Sequence, residues 1–193
     1  MTRLIDLSHT VEAGMITYPG LPGPVISDHL SRVDSKANYA PGTEFLIGRI
    51  EMVGNTGTYL DTPFHRFEDG YDLAGLALED VADLPGVCIE APGPDIGPQA
   101  VAGVDLAGKA VLFATGWDRH WGSESYGDPS HPFVNADLVE SLLDGGAALV
   151  GIDSVNIDDT RGGDRPAHSR LLAAGVPVVE HLTGLAALVG EAF

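Results

Sequence analysis

The spacing of apolar and polar positions divides the chain into short strands and short helices. "RLIDLS" (Arg3 to Ser8) predicts a short strand, and "MITYPGLPGPV" (Met15 to Val25) a Pro/Gly-rich loop. "TEFLIGRIEMV" (Thr43 to Val53) sets Phe45, Ile47 and Met52 among polar neighbours and predicts a long strand. "LALEDVAD" (Leu76 to Asp83) predicts a short helix stopped by Pro85. The apolar runs "GVCIEA", "KAVLFATG" (Lys109 to Gly116), "ALVGIDS" (Ala148 to Ser154) and "VPVVEH" (Val176 to His181) predict strands. Between them, "NADLVESLLDGGA" repeats Leu138, Leu142 and Leu143 at helical spacing, with Asn135 as N-cap and a glycine stop. "RPAHSRLLAAG" places Pro166 in a first helical turn and Gly175 at its end. Strands and helices interleave, which predicts an α/β fold rather than a sandwich or a bundle. No internal repeat or low-complexity segment interrupts the pattern.

A length of 193 residues suits one domain, spanning 1–193. Such a chain buries roughly 70% of its unfolded surface and needs no disulfide or metal merely to fold. The formal charge is −18, from 28 acidic and 10 basic residues. That charge repels nucleic acid and anionic membrane, neither of which is an expected partner, and it does not identify a substrate. Cys88 is the sole cysteine, which excludes an intrachain disulfide and a Cys-based zinc site and predicts a small core residue. The N-terminal stretch shows no secretory pattern, and no apolar run reaches the ~18 residues of a membrane span. The expected location is cytoplasmic.

Three common chemistries are missing from the sequence. There is no G-x-S-x-G elbow, no G-x-x-x-x-G-K-[ST] loop, and no G-x-G-x-x-G after a strand. The polar run "GNTGTYLDTPFHR" (Gly54 to Arg66) carries Asp61 and His65 four positions apart, and Pro63 between them opposes a regular helix. It predicts either a reactive loop at a strand end or a turn whose Asp caps amides while its His faces solvent. His168 falls in the first turn of a predicted helix, where the dipole disfavours imidazolium and the neutral ring can ligate a metal. Glu180 ends the last predicted strand. The two also fit a helix-start residue and a surface carboxylate. Together Asp61, His168 and Glu180 form a mixed N/O donor set of the kind that suits Zn²⁺ or Mn²⁺. Asp153, Asp158, Asp159 and Asp164 fit no calcium-loop pattern and predict a solvated, hinge-like loop.

The run N-T-G-T-Y-L-D-T-P-F-H, Asn55 to His65, resembles the H-x-G-T-H-x-D-x-P-x-H pattern of the putative-cyclase family, which includes bacterial kynurenine formamidase and isatin hydrolase. Five of the seven defined positions match: Gly57, Thr58, Asp61, Pro63 and His65. Asn55 and Tyr59 stand where the family has histidines. The likeness extends to "DLSHTVEAGMITYPG", "LFATGWD", "LVGIDS" and "AHSRLLAAGVPVVEHLTGL", with twelve positions from His168 to Glu180. Family members continue into a P-V-R-A-like strand, whereas this chain ends at "LVGEAF".

The resemblance implies a swivelling β/β/α domain, a mixed sheet with flanking helices, assembled as a homodimer or homotetramer. In the family's hydrolases two metal ions share an aspartate. By position that bridge is Asp61, with His168 and Glu180 completing one metal. The other metal would need imidazoles at Asn55 and Tyr59, so one divalent ion, Zn or Mn, is expected and the second site is expected to be lost. His65 matches the family's general acid/base, Tyr59 is placed to meet an oxyanion, and Tyr18, Asn55, Phe64, Trp117 and Trp121 are candidate substrate-binding residues. The expected activity is metal-dependent hydrolysis of a cyclic or aryl amide, lactam or lactone. Two alternatives stand beside it: a metal-free cyclase, dehydratase or isomerase using His65 and His168 as proton shuttles, and a non-catalytic small-molecule binder.

Overall fold

A computed structural model describes residues 4–191 and 193. They fall into two compact units, Thr10–Gly57 and a larger one that joins the residues up to His9 with Thr58–Phe193.

In the smaller unit, strands β1 (Val25–Leu30) and β2 (Ile47–Glu51) pair antiparallel. Helix α1 (Arg32–Ser35) lies between them, capped by the Ser31 side chain on Asp34 N–H. The strand expected over Thr43 to Val53 is therefore shorter, and its partner β1 lies mostly beyond the expected loop. Phe45, Ile47, Ile50 and Met52 are all exposed, so the alternation marks a ribbon and not a core strand.

The larger unit is built on five strands: β3 (Tyr59–Asp61), β4 (Gly86–Glu90), β6 (Ala110–Ala114), β8 (Leu149–Ile152) and β9 (Val178–Glu180). Their order is β3-β9-β8-β6-β4, parallel except for β3 against β9. A separate pair joins β5 (Asp95–Ile96) to β7 (Phe133–Val134). Strands buried on both faces read as continuous apolar runs, which is why β4, β6, β8 and β9 were legible in the sequence. Period-2 alternation then sorts their side chains. Val111, Phe113, Val150, Ile152 and Val178 pack with Leu138, Leu142, Leu171 and Leu172 of the helices. Ala110, Leu112, Ala114, Leu149 and Cys88 pack on the other face with Leu182, Leu185 and Leu188. Burial pushes the Cys88 thiol up to about 11, as befits an inert core residue. The fold is α/β, with a mixed sheet and flanking helices.

Helix α2 (Ala136–Asp144) starts where expected, the Asn135 side chain accepting from Leu138 N–H at 3.0 Å. Helix α3 (Pro166–Ala173) has Pro166 in its first turn and ends before Gly175, whose φ of +76° favours glycine.

Two expected elements are replaced. The helix over Leu76 to Asp83 is a single 3₁₀ turn, Leu78–Asp80; Leu78 is exposed, Asp83 has φ 55° and Val81 is only partly buried against the second core, too little burial to offset the cost of nucleation. Residues 4–8 form no strand, and Arg3 lies outside the described residues. Ile5 and Leu7 do pack against the second core, and Leu7 C=O accepts from Thr183 N–H, but no ladder forms.

Candidate active site

The register of β3 against β9 creates the site. Tyr59 lies directly opposite Glu180, and Asp61 opposite Val178. Residues two apart on a strand share a face, so Tyr59, Asp61 and Glu180 project to the same side of the sheet. Pro63 turns the chain out of β3 into a 3₁₀ turn, Pro63–His65, which brings His65 back over Asp61. The first turn of α3 delivers His168 from the other direction.

Distances show how these groups meet. His65 Nδ1 lies 3.3 Å from Asp61 Oδ1. His168 Nε2 faces two carboxylates at once, Asp61 Oδ2 and Glu180 Oε1, each at 3.6 Å. The ligand atoms of Asp61, His65 and His168 all lie within 4.8 Å of one another. Glu180 is oriented by two hydrogen bonds, from Ile157 N–H to Oε1 at 2.6 Å and from Tyr59 Oη to Oε2 at 2.7 Å. Asp61 Oδ2 is buried and has no hydrogen-bond partner among the described residues.

Behind His168 stands Asp158, which the sequence placed in a solvated loop and in no catalytic or metal-binding role. Its carboxylate accepts from Ala167 N–H at 2.7 Å and His168 N–H at 3.1 Å, which caps α3. It also holds His168 Nδ1 at 2.6 Å, leaving Nε2 aimed at Asp61 and Glu180. Asp153 is likewise buried, accepting from Thr115 and Gly116 N–H at 2.8 Å. The solvated loop expected over these aspartates is thus corrected for Asp153 and Asp158. The amide partners of Asp153 lie 37 and 38 positions away and those of Asp158 lie 9 and 10 positions away, beyond the reach of a turn pattern. Asp159 and Asp164 do lie towards solvent.

The electrostatics follow from the count of charges. Asp61, Asp158 and Glu180 are buried around one imidazole. Burial alone would lower the His168 pKa, but Glu180 first, then Asp158 and Asp61, outweigh it and hold the ring up to about 10. In the metal-free chain these carboxylates therefore oppose the helix dipole, which by itself favours the neutral ring. Burial pushes Glu180 upward, opposed by His168, Tyr59 and Ile157 N–H. In the metal-free protein, a histidine raised in the fold stabilises it fully below the unfolded value near 6.5, and that contribution is lost as pH rises through about 10. Urea midpoints of the chelator-treated chain are therefore expected to fall between pH 7 and 10 more steeply in wild type than in His168→Gln; parallel curves would contradict this.

An aromatic wall borders the cluster. His181, directly after β9, meets Tyr126 Oη through Nδ1 at 2.8 Å and Tyr59 Oη through Nε2 at 3.3 Å. Trp121 stacks on His9 at 3.8 Å and meets Tyr126 and His181 edge-on. Trp117 donates its indole N–H to Tyr126 C=O and packs on His120. Phe64 is exposed beside His65. Tyr18 and Asn55 belong to the smaller unit.

Residues 5–159 match the family model described as "Putative cyclase". The chain belongs to that family. It is similar to the kynurenine formamidase of Salinibacter ruber, 27% identical over 185 residues, covering 93% of this chain and 82% of that one. Among solved structures it is similar to a predicted metal-dependent hydrolase from Bacillus stearothermophilus: 26% identity, TM-score 0.71, 92% of this chain and 81% of that chain. Isatin hydrolase A from Labrenzia aggregata shares the fold, with TM-score 0.74 at 20% identity, over 96% of this chain and 82% of that chain.

Proposed function

We propose that this chain is a metal-dependent hydrolase that opens the amide, lactam or lactone bond of a cyclic or aryl substrate. The observation that carries the reading is the buried Asp61 Oδ2, without a hydrogen-bond partner among the described residues, facing His168 Nε2, which also faces Glu180. Three buried carboxylates against one imidazolium leave net negative charge in the interior, a costly arrangement that a divalent cation would relieve. The relatives' names support the same activity, indicating a hydrolase acting on an amide bond.

The donor set fits the ion. Asp61 and His168 would hold it with Glu180 as third ligand, and the oxygen/nitrogen mixture suits Zn or Mn. Such an ion supplies polarisation of the scissile carbonyl and a more acidic water. The chain's own residues do the rest. His65, open to solvent on one side and 3.3 Å from Asp61 on the other, takes a proton from the attacking water. As the water oxygen bonds to the carbonyl carbon and the C–N or C–O bond breaks, the same imidazole returns that proton to the leaving atom. Trp121 and Phe64 offer flat apolar surface for a ring.

Purified chain should contain about one equivalent of metal, lose hydrolysis of N-formyl aryl amides, cyclic imides or aryl lactones on chelation, and regain it with Zn or Mn. Full activity after exhaustive chelation would overturn the reading in favour of metal-free proton shuttling. His65→Ala is expected to keep the metal and lower turnover about 10²-fold, the low end of general acid–base catalysis, because water can enter in its place. Loss of the metal instead would make His65 a ligand, a role its place in the 4.8 Å cluster also permits.

A further inference from the structure

Two buried polar side chains beside the cluster have no part in that chemistry. His181 and Tyr126 are almost wholly inside the protein, and their polar atoms point at each other and at Tyr59. We propose that His181, locked by Tyr126, is a positioning residue that keeps the Tyr59 phenol on Glu180 and so aims Glu180 at the Asp61–His168 cluster. The inference rests on the reading that this cluster holds a cation.

The direction of each hydrogen bond follows from the inventory of protons. Glu180 as a carboxylate only accepts, so Tyr59 gives it the single phenol proton over 2.7 Å. Towards His181 the Tyr59 oxygen must then accept, which puts a proton on His181 Nε2. The other ring nitrogen, Nδ1, is left as acceptor for the Tyr126 hydroxyl at 2.8 Å. The result is one directed chain: Tyr126 O–H to His181 Nδ1, His181 Nε2–H to Tyr59 Oη, Tyr59 O–H to Glu180 Oε2. Ile157 N–H on the other oxygen completes the clamp, leaving Oε1 turned to His168 Nε2.

The backbone supports the same role. Strict alternation along β9 would send residue 181 to the face opposite Glu180. His181 instead has φ 57°, a conformation few non-glycine residues adopt, and its carbonyl accepts from the Thr58 hydroxyl while its N–H reaches Ser154 C=O. That turn brings the imidazole back to the Tyr59 oxygen. Tyr59 thereby has a different duty from meeting an oxyanion: its proton is committed to Glu180.

The test is cobalt binding by the full-length, chelator-stripped chain, read by visible absorption and competition titration. His181→Phe is expected to weaken Co²⁺ affinity 10–100-fold and to alter the spectrum, as loss of an outer partner does. His181→Gln, whose amide N–H can donate to Tyr59, should recover most of the affinity. Tyr126→Phe keeps its volume, so it tests the chain even if His181→Phe does not fold, and it should show a several-fold loss. In the metal-free chain, ¹⁵N NMR should find His181 protonated on Nε2. Folded His181→Phe and Tyr126→Phe with wild-type affinity and spectrum, or an Nδ1-protonated His181, would overturn the positioning role alone. A wild-type chain that takes up no cobalt would overturn the metal reading as well.

Discussion

Asp61→Asn is expected to abolish metal retention and, with it, hydrolysis, while leaving the metal-free fold no less stable than wild type. The two halves of this result come from the same charge arrangement. Asp61 supplies a buried carboxylate oxygen that has no hydrogen-bond partner among the described residues and stands 3.6 Å from His168 Nε2. An amide of the same shape offers a far weaker ligand, so the loss should exceed the 10–100-fold typical of outer partners. Without metal, however, Asp61 is one of three buried carboxylates sharing one imidazole, and removing its charge relieves repulsion. Metal analysis by mass spectrometry and urea denaturation of the stripped proteins read both effects. An Asp61→Asn chain that keeps its metal, or that loses stability by several kcal/mol, would make Asp61 a structural residue.

Asp158→Ala should be the most damaging single change to the fold around the site. It leaves Ala167 N–H and His168 N–H buried without a partner and removes the 2.6 Å bond to His168 Nδ1. Breaking a buried charged pair costs about 3–5 kcal/mol. Asp158→Asn retains an oxygen for the helix amides and should lose less. Urea midpoints of the metal-free chains distinguish these values, and a loss below about 1 kcal/mol for the alanine variant would show that capping by Asp158 is dispensable. Metal affinity should fall with the same variant, because His168 is no longer held with Nε2 towards Asp61.

The parts of the fold that the sequence displayed are those whose structure depends on near neighbours. Helix α2 begins at Asn135 because an Asn side chain reaches an amide three positions on, and α3 begins at Pro166 because its ring suits a first turn. Strands β4, β6 and β8 showed as apolar runs because both their faces are covered. Where burial is absent, an apolar composition does not hold a long element together. Leu78 and Phe45 have the composition of an ordered element but face solvent, so the expected helix is one turn and the expected long strand a shorter one in a two-stranded ribbon.

At the site, the motif around Asp61 and the segment ending in Glu180 named five residues that the fold does bring together: Tyr59, Asp61, His65, His168 and Glu180. Asp158, Tyr126 and His181 gave no such sign. Asp158 caps a helix that starts eight positions later, Tyr126 reaches across 55 residues, and His181 depends on a left-handed turn.

The sequence by itself determined the fold class, the family and the identity of the polar groups, because those depend on periodicity and on residue types at short spacing. Tertiary structure decided their electrical state and aim. Which carboxylates surround His168, and therefore whether its ring is charged, is a matter of distances between segments more than a hundred residues apart in some cases, as for Asp61 and His168. Coulomb interactions depend on separation in space and on burial, and neither quantity is written in the order of the residues.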